Sequence, residues 1–252
     1  MIRACSTTLV KNVPLEESLK YFEGIFPFIE LRIQEGHFLV DDIKRIKNLK
    51  QKLNKKGIKA VSLHQPMRIR DNIIDISSTD EWERLYSLRE IEKAIIAAQI
   101  LKIDRLIVHS SAKIDEEERC KREEKLKKSL VELIEFADKY GIKLYLENLS
   151  MHKLGDSIVW LDKLRNEFNN KFEICFDTGH WLIGKQNPLY LNKYNHYHIH
   201  DNNGIFDEHL FPQDGIFPWN KLEFSNGATV VYELMPSEVP GKEIGRIKEN
   251  KL

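Results

Sequence analysis

The chain has 252 residues, 42% of them hydrophobic, enough for one domain with a substantial core. Its 39 basic and 39 acidic residues cancel, which argues against a dedicated nucleic-acid binder, whose affinity comes largely from a basic excess. Cys5, Cys120 and Cys175 are too few for a disulfide framework, and no apolar run reaches the roughly 18 residues of a membrane span.

Short apolar, β-rich runs alternate along the chain with stretches of helical period. The first two runs are residues 2–5 and 28–33. The third, 60–64, follows Lys56-Gly57-Ile58-Lys59, where glycine ends a helix just before a strand. A one-faced helix with Leu88, Ile91, Ile95 and Ala98 leads to the fourth run, 105–109. A second, with Leu126, Leu130, Leu133 and Ala137, ends at Gly141 before the fifth, 144–147. Residues 173–177 form the sixth run; the segment after it contains Pro188, which predicts a reduced helix. Runs 197–200 and 229–233 complete eight, and the tail 234–252 leaves room for a short closing helix.

Strands separated by helices imply right-handed βαβ units and a parallel sheet. Eight such units in about 250 residues predict an α/β fold, a closed (β/α)8 barrel formed by residues 1–252 as one domain. An open doubly wound sheet is the alternative, but no glycine-rich phosphate loop follows the first strand. The first residues also lack the long apolar segment of a signal peptide, so the expected location is the cytoplasm.

Barrel enzymes build their sites where strands end, because the βα loops there form the mouth. Strand three ends in His64, strand four in His109 and strand five in Glu147. Strand six ends in Asp177, with His180 three residues on. Strand seven reads His196-Tyr197-His198-Ile199-His200, so its histidines share a face. Asp207-Glu208-His209 follows in the loop, and strand eight ends in Glu233.

A single strand-end histidine is ordinarily a hydrogen-bonded polar residue, and a single acid there pairs with a base or caps a helix. Convergence of many such residues at one mouth points instead to a divalent metal, with imidazole and carboxylate suiting Zn, Mn or Co. His37 and His152 read as solvated loop residues, and His196 as a packing residue deeper in the barrel. Cys120 falls on a charged helix, Cys175 inside the barrel, and 115–128 on a solvated helix face.

At these strand ends the sequence resembles the xylose isomerase-like TIM barrel superfamily, from Ile2 through Glu233. That group includes sugar and sugar-phosphate isomerases and epimerases, inosose dehydratases and the endonuclease IV enzymes. By the resemblance to ketose 3-epimerases, Glu147, Asp177, His198 and Glu233 hold one ion, the two glutamates serve as acid and base, and His180 contacts substrate. By the resemblance to endonuclease IV, up to three zinc ions are held by His64, His109, Glu147, Asp177, His180, His198, Asp207, His209 and Glu233. Two departures separate the chain from the repair enzymes: strand one reads Ala4-Cys5-Ser6, and Glu208 stands where they carry arginine. Glu30-Leu31 resembles the strand-two pattern of sugar isomerases.

The expected function is a divalent-metal-dependent isomerase or epimerase of a sugar or sugar phosphate, with proton transfer through an enediolate between Glu147 and Glu233. Arg68, Arg70 and Glu30 are the expected substrate contacts. The alternative is an endonuclease IV-like zinc phosphodiesterase on abasic DNA, with Arg68, Arg70 and Lys11 on the DNA backbone. A dehydratase, another lyase or hydrolase, and a non-catalytic barrel complete the readings. Partners are a small-molecule sugar, with nucleic acid under the alternative only, no membrane, and a homodimer among the allowed states.

Overall fold

The computed structural model describes residues 1–184, 194–250 and 252. Eight strands pair in parallel with their chain neighbours: β1 (Ile2–Ser6), β2 (Phe28–Arg32), β3 (Lys59–His64), β4 (Arg105–His109), β5 (Lys143–Glu147), β6 (Glu173–Asp177), β7 (His196–Ile199) and β8 (Thr229–Tyr232). Strand β8 returns to β1, with Ile2 opposite Thr229, and this closes the expected barrel. Around it lie α1 (Leu15–Ser18), α2 (Ile43–Lys55), α3 (Glu81–Leu101), α4 (Arg119–Tyr140), α5 (Ile158–Glu167), α6 (Thr178–Ile183) and α7 (Pro240–Glu249). Among the described residues no helix is long and apolar enough to cross a membrane.

The helices form where the sequence supplies both an apolar stripe and ends. Leu126, Leu130, Leu133 and Ala137 of α4 are buried, while Cys120, Lys121 and Lys128 on the same helix are exposed. Asp42, Asp80 and Ser157 cap α2, α3 and α5 by accepting from first-turn N–H groups. Gly57 and Gly141 take the left-handed conformation at helix ends, with φ of +65° and +67°. The closing helix α7 is short, as expected, and buries Ile244 and Ile247. Helix α6 stops at Ile183; the Pro188 region beyond it lies outside the described residues.

Alternate residues of each strand point into the barrel. Its apolar floor comes from Ala4, Val61 and Val231 in one cluster and Ile107, Tyr145 and Cys175 in another. One step toward the C-terminal ends, the inward positions turn polar: Glu30, Ser62, His109, Glu147, Asp177 and His198. A register shift between Ile29 and Glu30 in the β2–β3 pairing breaks the regular ladder beside this layer.

Two glycine substitutions should move stability in opposite directions. Gly141→Ala forces a Cβ into the left-handed region and should cost about 1 kcal/mol. Gly245→Ala lies within α7, where an added Cβ meets nothing within 4 Å, and should stabilise by roughly 0.5–1 kcal/mol. Urea unfolding midpoints compare them, and shifts of the same sign would contradict this assignment of the two glycines.

Candidate metal centre at the barrel mouth

The strand ends deliver their side chains into one desolvated volume. His109 Nε2 lies 3.0 Å from Glu147 Oε2, and His64 Nε2 lies 3.4 Å from the same oxygen. The other oxygen, Oε1, faces His180 Nδ1 at 3.1 Å and His198 Nδ1 at 3.5 Å. His198 Nδ1 is also 3.0 Å from Glu233 Oε2 and 4.0 Å from Asp177 Oδ2. Asp207 Oδ2 receives His180 Nε2 at 3.1 Å and His209 Nε2 at 3.3 Å. All nine residues expected as ligands therefore face one mouth, eight of them within adjoining groups of candidate donor atoms and His180 bridging Glu147 and Asp207. Donor atoms of Glu147, Asp177, His198 and Glu233 lie within 4.8 Å of one another, as do those of His64, His109 and Glu147, and those of His200, Asp207 and His209.

Supporting contacts fix how these side chains point. His64 Nδ1 donates to the Gln65 carbonyl at 2.8 Å, and His209 Nδ1 to the Glu233 carbonyl at 2.7 Å, so each Nε2 faces the cluster. Glu30 Oε2, which accepts from Ser62 at 2.7 Å, lies 3.1 Å from His198 Nε2 and turns His198 Nδ1 toward Glu147 and Glu233. Asn148 clamps Asp177 by two hydrogen bonds: its amide oxygen accepts from Asp177 N at 2.7 Å and its amide nitrogen donates to Asp177 O at 3.0 Å. Asp177 in turn caps α6, accepting from His180 N at 2.6 Å. Gly179 follows because a Cβ there would run into the His200 ring.

The donor set fits a divalent cation. His64 Nε2, Glu147 Oε1 and His198 Nδ1 are buried with no hydrogen bond of acceptable geometry, although opposing donors and acceptors surround them. Buried polar atoms of this kind are ordinarily paired, and a cation would satisfy them together. Without an ion, burial opposes charge on His209, but the Asp207 hydrogen bond and the fields of Glu233 and Asp207 raise its pKa to about 9. Burial likewise opposes charge on His180, yet Asp177 and Asp207 raise it well above the ordinary value. Burial pushes His109 down to about 4 against the pull of Glu147. Glu147 and Glu233 are held well below the usual carboxylate range, against burial, by the imidazoles around them.

Three expected positions need correction. Glu30, expected at the substrate, is fully buried, with Oε2 3.1 Å from His198 Nε2. Arg70 stands exposed in the turn of a small hairpin, Arg68–Ile69 paired with Asn72–Ile73, and its N–H bonds Glu35 at 3.0 Å. His37, expected in solvent, is buried with Nδ1 2.6 Å from the Val13 carbonyl, because its loop folds back over α1. His152 is exposed, and His196 is buried below His198 with its ring 5.4 Å from Tyr145.

Two residues were missed. Arg32, at the end of β2, bonds Glu233 Oε1 at 3.0 Å; His200 lies 3.0 Å from Asp177 Oδ1 and stacks on His209 at 3.8 Å. The shared face of the three β7 histidines was the available signal for His200.

The raised His209 pKa sets a pH test on chelator-treated protein. Its ion pair with Asp207 contributes fully below the ordinary value of 6.5 and is lost as pH rises through about 9. The melting temperature should therefore fall across that window, and His209→Gln should flatten the slope. An equal slope in the variant would remove His209 as its source.

Known proteins share this architecture. The model of the family described as xylose isomerase-like TIM barrel matches residues 23–224. The uncharacterised protein MJ1614 of Methanocaldococcus jannaschii is 27% identical over 158 residues, 61% of this chain; the match spans only 60% of that relative's length. A D-tagatose 3-epimerase-like protein superposes with a TM-score of 0.78 at 23% identity, covering 99% of this chain and 97% of the other. The IOLI protein, solved with a zinc atom, gives 0.76 at 20% identity, with 99% and 95% covered. At such identity the structural likeness speaks for the fold alone, but the family match extends over most of the sequence: the chain belongs to the xylose isomerase-like TIM barrel family.

Proposed function

We propose that the chain is a divalent-metal-dependent isomerase or epimerase of a sugar or sugar phosphate. The observation that carries this reading is the pair of glutamates flanking His198, with Glu147 Oε1 at 3.5 Å and Glu233 Oε2 at 3.0 Å from its Nδ1. The reading agrees with what the names of two proteins of the same fold say of them, a D-tagatose 3-epimerase-like protein and an IOLI protein with a bound zinc atom.

Glu147, Asp177, His198 and Glu233 would hold the cation, which when bound supplies Lewis acidity to adjacent carbonyl and hydroxyl oxygens. Each glutamate keeps one oxygen tethered on the far side, Glu147 by His109 and Glu233 by Arg32, so both carboxylates are fixed before substrate arrives. Either Glu147 or Glu233 would take the carbon-bound proton, each through the oxygen that faces His198. The other glutamate, which would enter the step carrying a proton, returns it to the opposite face of the same carbon in epimerisation or to the neighbouring carbon in isomerisation, and the first then gives its proton up to solvent. His180, between Glu147 and Asp207, is placed to donate to a substrate hydroxyl. Burial of the glutamates excludes bulk water that would quench the carbanion.

A second reading, the zinc phosphodiesterase on abasic DNA, is favoured by one observation: candidate ligand groups at His64, His109 and Glu147 and at His200, Asp207 and His209 adjoin the inner four, which would allow more than one ion. Elemental analysis of protein purified without chelators separates the two. About one ion per chain, retained in His109→Ala, supports the isomerase. Two or three ions, reduced in His109→Ala, support the phosphodiesterase.

Proton transfer is tested directly by solvent-deuterium incorporation into a panel of ketoses. Glu147→Gln and Glu233→Gln should each lower exchange by roughly 10²- to 10⁴-fold. Lys47→Gln, on the outer face of α2, should not change it. Exchange that survives in both glutamine variants would refute the two-glutamate mechanism.

A further inference from the structure

Beside Glu233, the loops after β2 and β3 enclose a cavity of about 270 Å³, lined by Arg32, Ile33, Gln34, Glu35, Met67 and Arg68. Its inner wall is Arg32, whose Nη1 bonds Glu233 Oε1 at 3.0 Å. Glu233 Oε2 faces His198 at 3.0 Å, so the cavity begins one carboxylate away from the candidate ligands. The guanidinium has donors to spare: its Nε is buried with no hydrogen-bond partner. Arg68, on the outer wall, is exposed and spends Nη1 on the Asp71 carbonyl at 3.0 Å, leaving its remaining N–H groups available. Lys11 adds positive charge nearby: burial and then the field of Arg32 lower its pKa, while Glu233 raises it. Glu35 is the opposing charge on the rim, with Oε1 occupied by the Arg70 N–H.

We propose that this cavity is an anion subsite, in which Arg32 and Arg68 receive the terminal phosphate or carboxylate of a substrate whose reacting carbons lie between Glu147 and Glu233. The inference rests on the isomerase reading for the second half of that statement and on the cavity alone for the first. A half-buried guanidinium whose Nε no protein group satisfies, with a second arginine across the cavity, matches an oxyanion better than a neutral hydroxyl, because charge-assisted hydrogen bonds are roughly twice as strong. Arg32 then has two tasks, since the guanidinium that holds the substrate's far end also holds Glu233, one of the two proton-transferring glutamates. An anionic substrate would dock in one register only, with its charged end fixed beside Glu233.

Titration calorimetry with sodium sulfate and sodium acetate at constant ionic strength tests the subsite. It is run on protein as purified and again after chelation, so that ligation of sulfate to a metal is separated from the cavity. Saturable one-to-one sulfate binding is expected in both forms. It should weaken about tenfold or more in Arg68→Gln and Arg32→Gln, with Lys47→Gln unchanged. Arg32→Lys, which keeps the charge but not the fork, guards against misfolding and should bind with intermediate affinity. Sulfate preferred over acetate would identify a phosphate-bearing substrate, and the reverse a carboxylate. Binding that is absent after chelation, or unaltered in both arginine variants, would overturn the subsite. Loss of the isomerase reading alone would leave sulfate binding intact and appear instead in the ion count and deuterium exchange.

Discussion

Glu30, Glu147, Asp177 and Glu233 place four carboxylates in one desolvated volume at the end of a barrel. Ionised carboxylates survive burial only when positive or hydrogen-bonding groups surround them, and everything else at the mouth answers to that requirement. His198 stands between Glu30 and Glu233, His109 against Glu147, His200 against Asp177 and Arg32 against Glu233. Closure of the sheet is what makes the compensation available. Glu30 comes from β2 and His198 from β7, partners that only a closed ring brings across the interior to 3.1 Å. Fold and charge balance therefore depend on each other.

The barrel was legible because each of its signals is local. Apolar runs, one-faced helices and the glycines at 57 and 141 each report on a few neighbouring residues, and repetition of the unit supplied the topology. The ligand positions were legible by the same route, since a polar residue at the end of a buried strand has few other places to point. What stayed hidden needed register. Arg32 and Glu233 are 201 positions apart, and nothing in either segment announces the other. The shift beside Glu30 places its carboxylate behind His198 rather than at the substrate. Arg68 and Arg70 look equivalent in sequence, yet a tight hairpin turn at Arg70 (φ 53°) separates their surroundings.

Asp177 shows how closely folding and site geometry are joined. One carboxylate caps α6 through His180 N, while Asn148 clamps its backbone to the end of β5. The orientation of His180 thus follows from a helix start that the strand end itself provides. His200 occupies the space that the absent side chain of Gly179 leaves, so of three consecutive positions Asp177 is committed to the cap, and Thr178 and Gly179 both to His200, one through its carbonyl at 2.6 Å and the other through its ring.

The loop after β7 is organised differently, around a single enclosed carboxylate. Asp201 accepts N–H groups of Asn202, Gln213 and Phe217 and the Trp219 indole, and its backbone pairs with Leu210, which returns His209 to the barrel. Asp207 and His209 therefore belong to a loop tied at one internal knot and fastened to the wall at His180, Gly179 and the Glu233 carbonyl, whereas Glu147, Asp177, His198 and Glu233 belong to the barrel wall. A change in the sequence of this loop would therefore fall first on Asp207 and His209, while Glu147, Asp177, His198 and Glu233 keep the placement that their strands impose.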